Sequence, residues 1–239
     1  TLTVKVENVA GRIDIHNLTA SFIEVDSNNS YLSIQNGINT AGDTGIYKIH
    51  FQSKTGKNLS ARSYLINSDL SSGTGYFKYS GITDNFGDDT IYFYNTKSGT
   101  INVTSVLSLI QSGITSKIYS KPSVPSVMNS YFSGENQGFG DGSDITDVEF
   151  NIIDSYGNAV PDRIVQFNVS GETGNISVVY SNNISDKNGK IYFGLKSSAP
   201  CSVILSVKDI TAVNFDYSNT QSVLFKEGLP AKIYNVGNK

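Results

Sequence analysis

The chain has 239 residues, of which 38% are hydrophobic and 16% charged, with a formal net charge of −3. That length fits two domains of ordinary size, each able to bury its own core. A charge so near zero leaves no electrostatic footprint for nucleic acid, and no apolar run reaches the roughly 18 residues of a membrane span.

Apolar and polar residues alternate from the start. Leu2, Val4 and Val6 alternate with Thr3, Lys5 and Glu7, and Ile13 and Ile15 follow Gly11. Asn36-Gly37 reads as a hairpin pair, since both residues tolerate positive φ. Tyr47, Ile49 and Phe51 then share one face of a strand, as do Val148, Phe150 and Ile152 further on. Three more strands carry Val165, Phe167 and Val169, then Ile191, Phe193 and Leu195, then Val203, Leu205 and Val207. Asn188-Gly189 is a second hairpin pair. Period-two patterning with one buried face predicts β-structure throughout. The expected fold is all-β.

The chain also repeats itself. Gly56 to Gly157 and Arg62 to Arg163 are both separated by 101 residues, within the matching stretches Ser53–Arg62 and Asp154–Arg163. Ile91-Tyr92-Phe93 returns as Ile191-Tyr192-Phe193, and Ser105-Val106 as Ser206-Val207. A period of about 100 matches a seven-stranded sandwich, so two tandem immunoglobulin-like β-sandwiches are expected. The boundary falls near Ser116–Ser126, where Lys121-Pro-Ser-Val-Pro125 reads as a stiff spacer. Gly113–Tyr119 returns as Gly228–Tyr234, as if a further repeat began there. The expected organisation is an N-terminal strand segment over 1–18, either a donor strand or the end of a preceding domain, then sandwich one over 19–116, sandwich two over 117–228, and a linker or next repeat over 229–239.

From Val148 to Val207 the residues become specific. Asp154-Ser-Tyr-Gly157-Asn-Ala-Val160, Val165-Gln-Phe167 and Ser185-Asp186-Lys-Asn-Gly189, followed by two strands, resemble the invasin/intimin-type bacterial immunoglobulin-like domain. Gly228-Leu-Pro-Ala-Lys-Ile is similar to that family's interdomain linker. In the first half Gly87 and Thr83-Asp84 keep the second motif, while Ser53 replaces the Asp of the first. The resemblance implies rigid stalks of surface adhesins, an extracellular or cell-surface location, further immunoglobulin-like domains or a host receptor as partners, and no catalytic residues.

The residues themselves offer little chemistry. Asp43-Thr44-Gly45 spells the aspartic-protease tripeptide, but only once, and that mechanism needs two carboxylates. A turn is the expected role. His16 and His50 fall on the polar phase of their strands, and Cys201, the single cysteine, sits beside an apolar strand as a small buried hydrophobe. Gly138-Phe-Gly-Asp-Gly142 precedes a strand rather than a helix, which removes the phosphate cradle. Asp141, Asp144 and Asp147 are weak candidates for calcium, whose oxygen ligands such acidic loops provide; no other cofactor is expected. Tyr92 and Tyr94 alternate with Ile91 and Phe93 and so face outward, where a carbohydrate-binding or accessory module would use them to stack on sugars.

One difference between the halves bears on assembly. From Val207 to Gly228 there is room for a strand and its hairpin that the stretch from Val106 to Gly113 lacks. Either the first sandwich misses its last strand, leaving a sticky edge, or Val106 to Ile110 runs on to finish the sheet. Leu2, Val4 and Val6, or the C-terminal Ala231–Val236, are the candidate donors to that edge. Donation between subunits would join copies of the chain head to tail in a pilus-like filament.

Overall fold

A strand with one apolar face has to bury that face against another sheet, and two such sheets make a sandwich. The computed structural model describes residues 4–7, 13–16, 24–35, 39–69, 75–77, 80–107, 113–212 and 214–228. The chain divides into two units, Thr1–Lys121 and Pro122–Lys239.

The first unit contains β1 (Val4–Glu7), β2 (Ile13–His16), β3 (Tyr31–Ile34), β4 (Asn39–Thr40), β5 (Thr44–His50), β6 (Ser63–Ser68), β7 (Gly75–Phe77), β8 (Ser80–Ile82), β9 (Asp88–Asn95), β10 (Gly99–Leu107) and β11 (Gly113–Lys121). One sheet runs β3-β5-β9-β7 and the other β4-β11-β10-β6-β8. The second unit contains β12 (Tyr131–Gly134), β13 (Gln137–Phe139), β14 (Thr146–Asn151), β15 (Val165–Gly171), β16 (Ile176–Ser181), β17 (Lys190–Ser197), β18 (Cys201–Asp209), β19 (Phe215–Asp216) and β20 (Gln221–Lys226). Its sheets run β12-β14-β17-β16 and β13-β20-β18-β15, with β19 beside β18. Apart from β8 in the first and β19 in the second, both units use the same strand order, and in each the short β4 or β13 runs parallel to the last strand.

The alternating residues fill the cores as their spacing predicts. Tyr47, Ile49, Phe51, Ile91 and Phe93 are buried in the first, with Val148, Phe150, Ile152, Ile191 and Phe193 in the second. Each such side chain contributes about 1.5–3 kcal/mol by leaving water. The repeated turns hold too. Gly56 and Gly157 have φ of +77° and +79°, a left-handed conformation that favours glycine. The Thr83 hydroxyl donates to the Leu59 carbonyl at 2.5 Å, and the Ser185 hydroxyl to the Val160 carbonyl at 2.9 Å.

Two of the repeat's anchors prove misleading. Ile91 lies opposite Tyr47, whereas Phe193 lies opposite Val148, the counterpart of Tyr47. The two Ile-Tyr-Phe triplets are thus two residues out of step. The even shift keeps parity, so both bury their Ile and Phe. Ser105-Val106 and Ser206-Val207 differ by an odd step, and their faces invert. Ser105 is buried at 2% exposure and pairs with Ile66, whereas in the second unit Val207 takes that place, opposite Phe167.

The domain reading needs three corrections. The units part between Lys121 and Pro122, not at 116/117. The first sandwich does not lack its last strand, because Gly113–Lys121 forms it, pairing with β10 from Gly99↔Ser120 to Val106↔Gly113. Gly113–Tyr119 resembles Gly228–Tyr234 in sequence, yet in the sheet it occupies the position of Gln221–Lys226. The extra length in the second half is the connection carrying β19. Finally, Val4 and Val6 lie in β1, which pairs with β2 as a separate two-stranded sheet from Val4↔His16 to Glu7↔Ile13. The edge they were expected to fill is already closed. Leu2, Asn36-Gly37 and Ala231–Val236 lie outside the described residues.

The expected spacer is also used structurally. The Ser123 amide donates to Asp154 Oδ2 at 2.9 Å, and the Ser126 amide to the Ile153 carbonyl at 2.7 Å. These bonds fasten the segment to the second unit.

Candidate functional site

The outer face of the β3-β5-β9-β7 sheet carries exposed aromatic rings suited to recognition. Alternation on β5 and β9 sends Tyr47, Ile49, Ile91 and Phe93 inward, and so turns Lys48, His50, Asp88, Tyr92 and Tyr94 outward. Tyr92 is 47% exposed. The register sets Tyr94 opposite Tyr76 of β7, and their rings stack at 5.5 Å with an interplanar angle of 17°. At the other end of the face, Tyr31 stacks on His50 at 5.1 Å. At that same end lies an ionic cluster: Asp88 meets Lys48 Nζ at 2.7 Å and His50 Nδ1 at 2.6 Å. Burial raises the Asp88 pKa, but the bonds from Lys48 and His50 outweigh it and leave the carboxyl lowered.

Tyr92 and Tyr94 thus lie on the face their spacing predicts. Tyr31 and Tyr76 were not legible as members, because they come from edge strands whose pairing no local pattern reveals. His50 sits on the polar phase, as expected, but only the register brings it to Asp88. Of His16, the structure describes only its place in β2.

The acidic loop of the second unit is occupied by its own chain. Asp141 Oδ1 accepts from the Ser143 amide at 2.7 Å, the Ser143 hydroxyl at 2.8 Å and the Asp144 amide at 3.0 Å. Those backbone bonds lower its pKa. Asp144 Oδ2 accepts from the Phe139 amide, while Asp147 Oδ1 accepts from the Tyr180 hydroxyl at 2.5 Å. Among the described residues no three His, Cys, Asp or Glu side chains gather to hold a metal ion.

The remaining motifs have structural roles. Asp43 lies exposed in the turn before β5. Gly140 is required by close approach, since a Cβ there would stand 2.3 Å from the Ala199 carbonyl carbon. Cys201 is buried, with its sulfur 3.3 Å from the Ser197 hydroxyl. Among the described residues no helix is long and apolar enough to cross a membrane.

No protein-family model matches the chain, and no curated protein does. Solved structures do. InvD of Yersinia pseudotuberculosis, at 15% identity, is matched over 88% of this chain and 62% of that one, with a TM-score of 0.63. The chain shares with InvD a fold of tandem immunoglobulin-like β-sandwiches. FdeC, an Escherichia coli adhesin, is matched over 85% of this chain and 65% of its own at 18% identity, with a TM-score of 0.48. Invasin, a bacterial integrin-binding protein, is matched over 84% and 40% at 15% identity, with a TM-score of 0.46. The chain spans less than two thirds of the InvD chain.

Proposed function

We propose that this chain is part of a bacterial surface adhesin, in which tandem immunoglobulin-like sandwiches form an extracellular stalk rather than an enzyme. The observation that carries the reading is the fold shared with InvD across both sandwiches. The Asp154–Val160 and Ser185–Gly189 motifs add sequence-level support. The partners in this reading are neighbouring immunoglobulin-like domains and a host or surface receptor. Antibodies raised against the chain should label intact cells of the source bacterium, and protease added outside should remove the label. Label confined to lysed cells would end the proposal. Sedimentation of the purified chain tests the finer point: a stalk segment stays monomeric, while concentration-dependent growth into fibres would favour a filament subunit.

A second reading, a glycan-binding module, is favoured by the stacked Tyr76–Tyr94 pair beside exposed Tyr92. Flat, solvent-facing rings with polar neighbours suit sugar faces. Saturable binding on a glycan array, lost in Tyr92→Ala and Tyr76→Ala, would place recognition on this face. An array without signal removes the reading.

A further inference from the structure

The two units differ at matched register positions, inside and out. In the second core the buried Phe225 lies opposite Cys201 and Gly138, where the first unit has Ser120 opposite Gly99 and Asn39. On the outer face the exchange is reversed. Tyr92 lies opposite Ile46 in the first unit, and the matching pair in the second is Gly194 opposite Asp147. The second unit restores the missing ring from its edge strand. Tyr180 of β16 pairs with Gly194, and its side chain crosses β17 so that the hydroxyl reaches Asp147 Oδ1 on β14 at 2.5 Å. Both sandwiches thus present a tyrosine at the same point of the same face.

Three features hold that ring flat on the sheet. Gly194 falls on the outward phase of β17 yet is buried, and a Cβ there would stand 2.3 Å from Tyr180 Cε1, 2.6 Å from Cδ1 and 2.8 Å from Cζ. Its φ lies outside the left-handed region, so the glycine is required for space and not for conformation. A bulge between Val178 and Tyr180 shifts the register of β16 and sets Tyr180, not Val179, opposite Gly194. The bond to Asp147 fixes the far end and pushes the Tyr180 pKa up to about 12, which keeps the hydroxyl a donor. A strand glycine and an interrupted ladder both weaken a sheet. The ring, 43% exposed, fills no core in return. Local rules broken at a cost to the sheet mark a functional position. Carboxylates of Asp147 and Glu135 flank the hydroxyl end, the Asp147 amide donating to Glu135 Oε2 at 3.0 Å. Along β17 the next outward side chain is the exposed Tyr192, opposite Glu149, which Lys190 holds at 2.9 Å.

We propose that the outer face around Tyr180 binds a neutral hexopyranoside, whose C–H face stacks on the ring and whose hydroxyls donate to Asp147 and Glu135. A fixed, flat ring suits the apolar face of a pyranose. Carboxylates accept hydrogen bonds and give none, so they select hydroxyl donors and repel acidic sugars. Tyr192 extends the platform along β17. The site lies wholly in the second unit and rests neither on the adhesin reading nor on the tyrosines of the first unit.

The test is a titration of the whole ¹⁵N-labelled chain with methyl β-D-galactopyranoside, whose axial hydroxyl leaves one ring face free of oxygen, against galacturonate as the anionic counterpart. Saturable shifts are expected at the amides of Asp147, Tyr180, Tyr192 and Gly194. Amides of β5 and β9 report separately on the first unit's tyrosines, so the two faces are told apart. Tyr180→Ala, at an exposed position, should weaken binding at least about tenfold, a loss of about 1.4 kcal/mol. Gly194→Ala keeps the tyrosine but drives its ring off the sheet, and should weaken binding several-fold with the melting temperature of the second unit retained. Asp147→Asn keeps an oxygen for the Tyr180 hydroxyl and removes the charge, and should narrow the gap between the two sugars. Absence of saturable shifts at the four second-unit amides overturns the site, even where β5 and β9 respond. Undiminished binding in Tyr180→Ala or in folded Gly194→Ala overturns the flat ring as its basis, and galacturonate binding equal to the galactoside's overturns the neutral class.

Discussion

Both units bury a tyrosine whose hydroxyl donates to an aspartate, yet they take it from different strands. In the first, Tyr64 on β6 reaches Asp89 Oδ2 at 2.7 Å. In the second, Tyr217, just after β19, reaches Asp209 Oδ2 at 3.0 Å, and Arg163 grips the same carboxylate from Nε at 2.8 Å and Nη2 at 2.9 Å. Burial, reinforced by the adjacent aspartate, pushes both tyrosine pKa values up. The register sets Tyr64 of the first unit opposite Leu107, where the second has Val165 opposite Asp209. The same scaffold thus accepts a ring from β6 or from the extra β19 connection. What it requires is a filled core and a satisfied hydroxyl, not a particular residue at a particular place.

If the second unit depends on the ring that the first lacks, Phe225→Ser should be the most damaging change. It opens a cavity in the second core, at a cost on the order of 4 kcal/mol. Hydrogen exchange of β14 and β17 amides should accelerate while β5 and β9 stay protected. Equal acceleration in both would show that the units do not unfold separately.

Asp209→Ala strips Arg163 and Tyr217 of their shared acceptor and should cost the second unit about 3 kcal/mol in urea unfolding. The acid response sharpens the point. Burial raises the Asp209 pKa, but bonds from Arg163, Thr211 and Tyr217 outweigh it, so the folded value lies below the ordinary 3.8. A lowered folded pKa means the contribution is complete above roughly pH 4 and fades as pH falls through the folded value. The alanine variant should therefore show a flatter stability profile below pH 4 than the parent.

Tyr64→Phe removes one bond to a carboxylate and should cost the first unit about 1.5 kcal/mol, with the ring still packed on Phe51. A loss above that found for Asp209→Ala would reverse the order of dependence between the units. The smallest effect concerns the matched left-handed residues Ala61 and Asp162, with φ of +51° and +60°. Ala61→Gly should stabilise the first unit by up to about 1 kcal/mol, and Asp162→Gly the second by less, because Asp tolerates this conformation better than Ala. Thermal melts of the two single variants check the ranking.

The outward aromatic face was half legible in advance. Tyr92 and Tyr94 follow from alternation alone, since a strand's side chains change sides at every residue. Their stacking partner Tyr76 and the His50–Asp88 contact depend on cross-strand register, which local sequence does not record. The strand count failed for the same reason. Gly113–Tyr119 and Gly228–Tyr234 look alike, but only hydrogen bonding to β10 shows that the first is a closing strand.

By itself the sequence determined the class: period-two apolar spacing commits these segments to two-faced strands, and left-handed Gly56 and Gly157 commit the turns between them. The tertiary structure decided which strands became neighbours, where one unit ended, and that Ser120 stands where Phe225 would have filled the core. Those outcomes depend on residues far apart in the chain competing for the same space, and a linear pattern carries no measure of that competition.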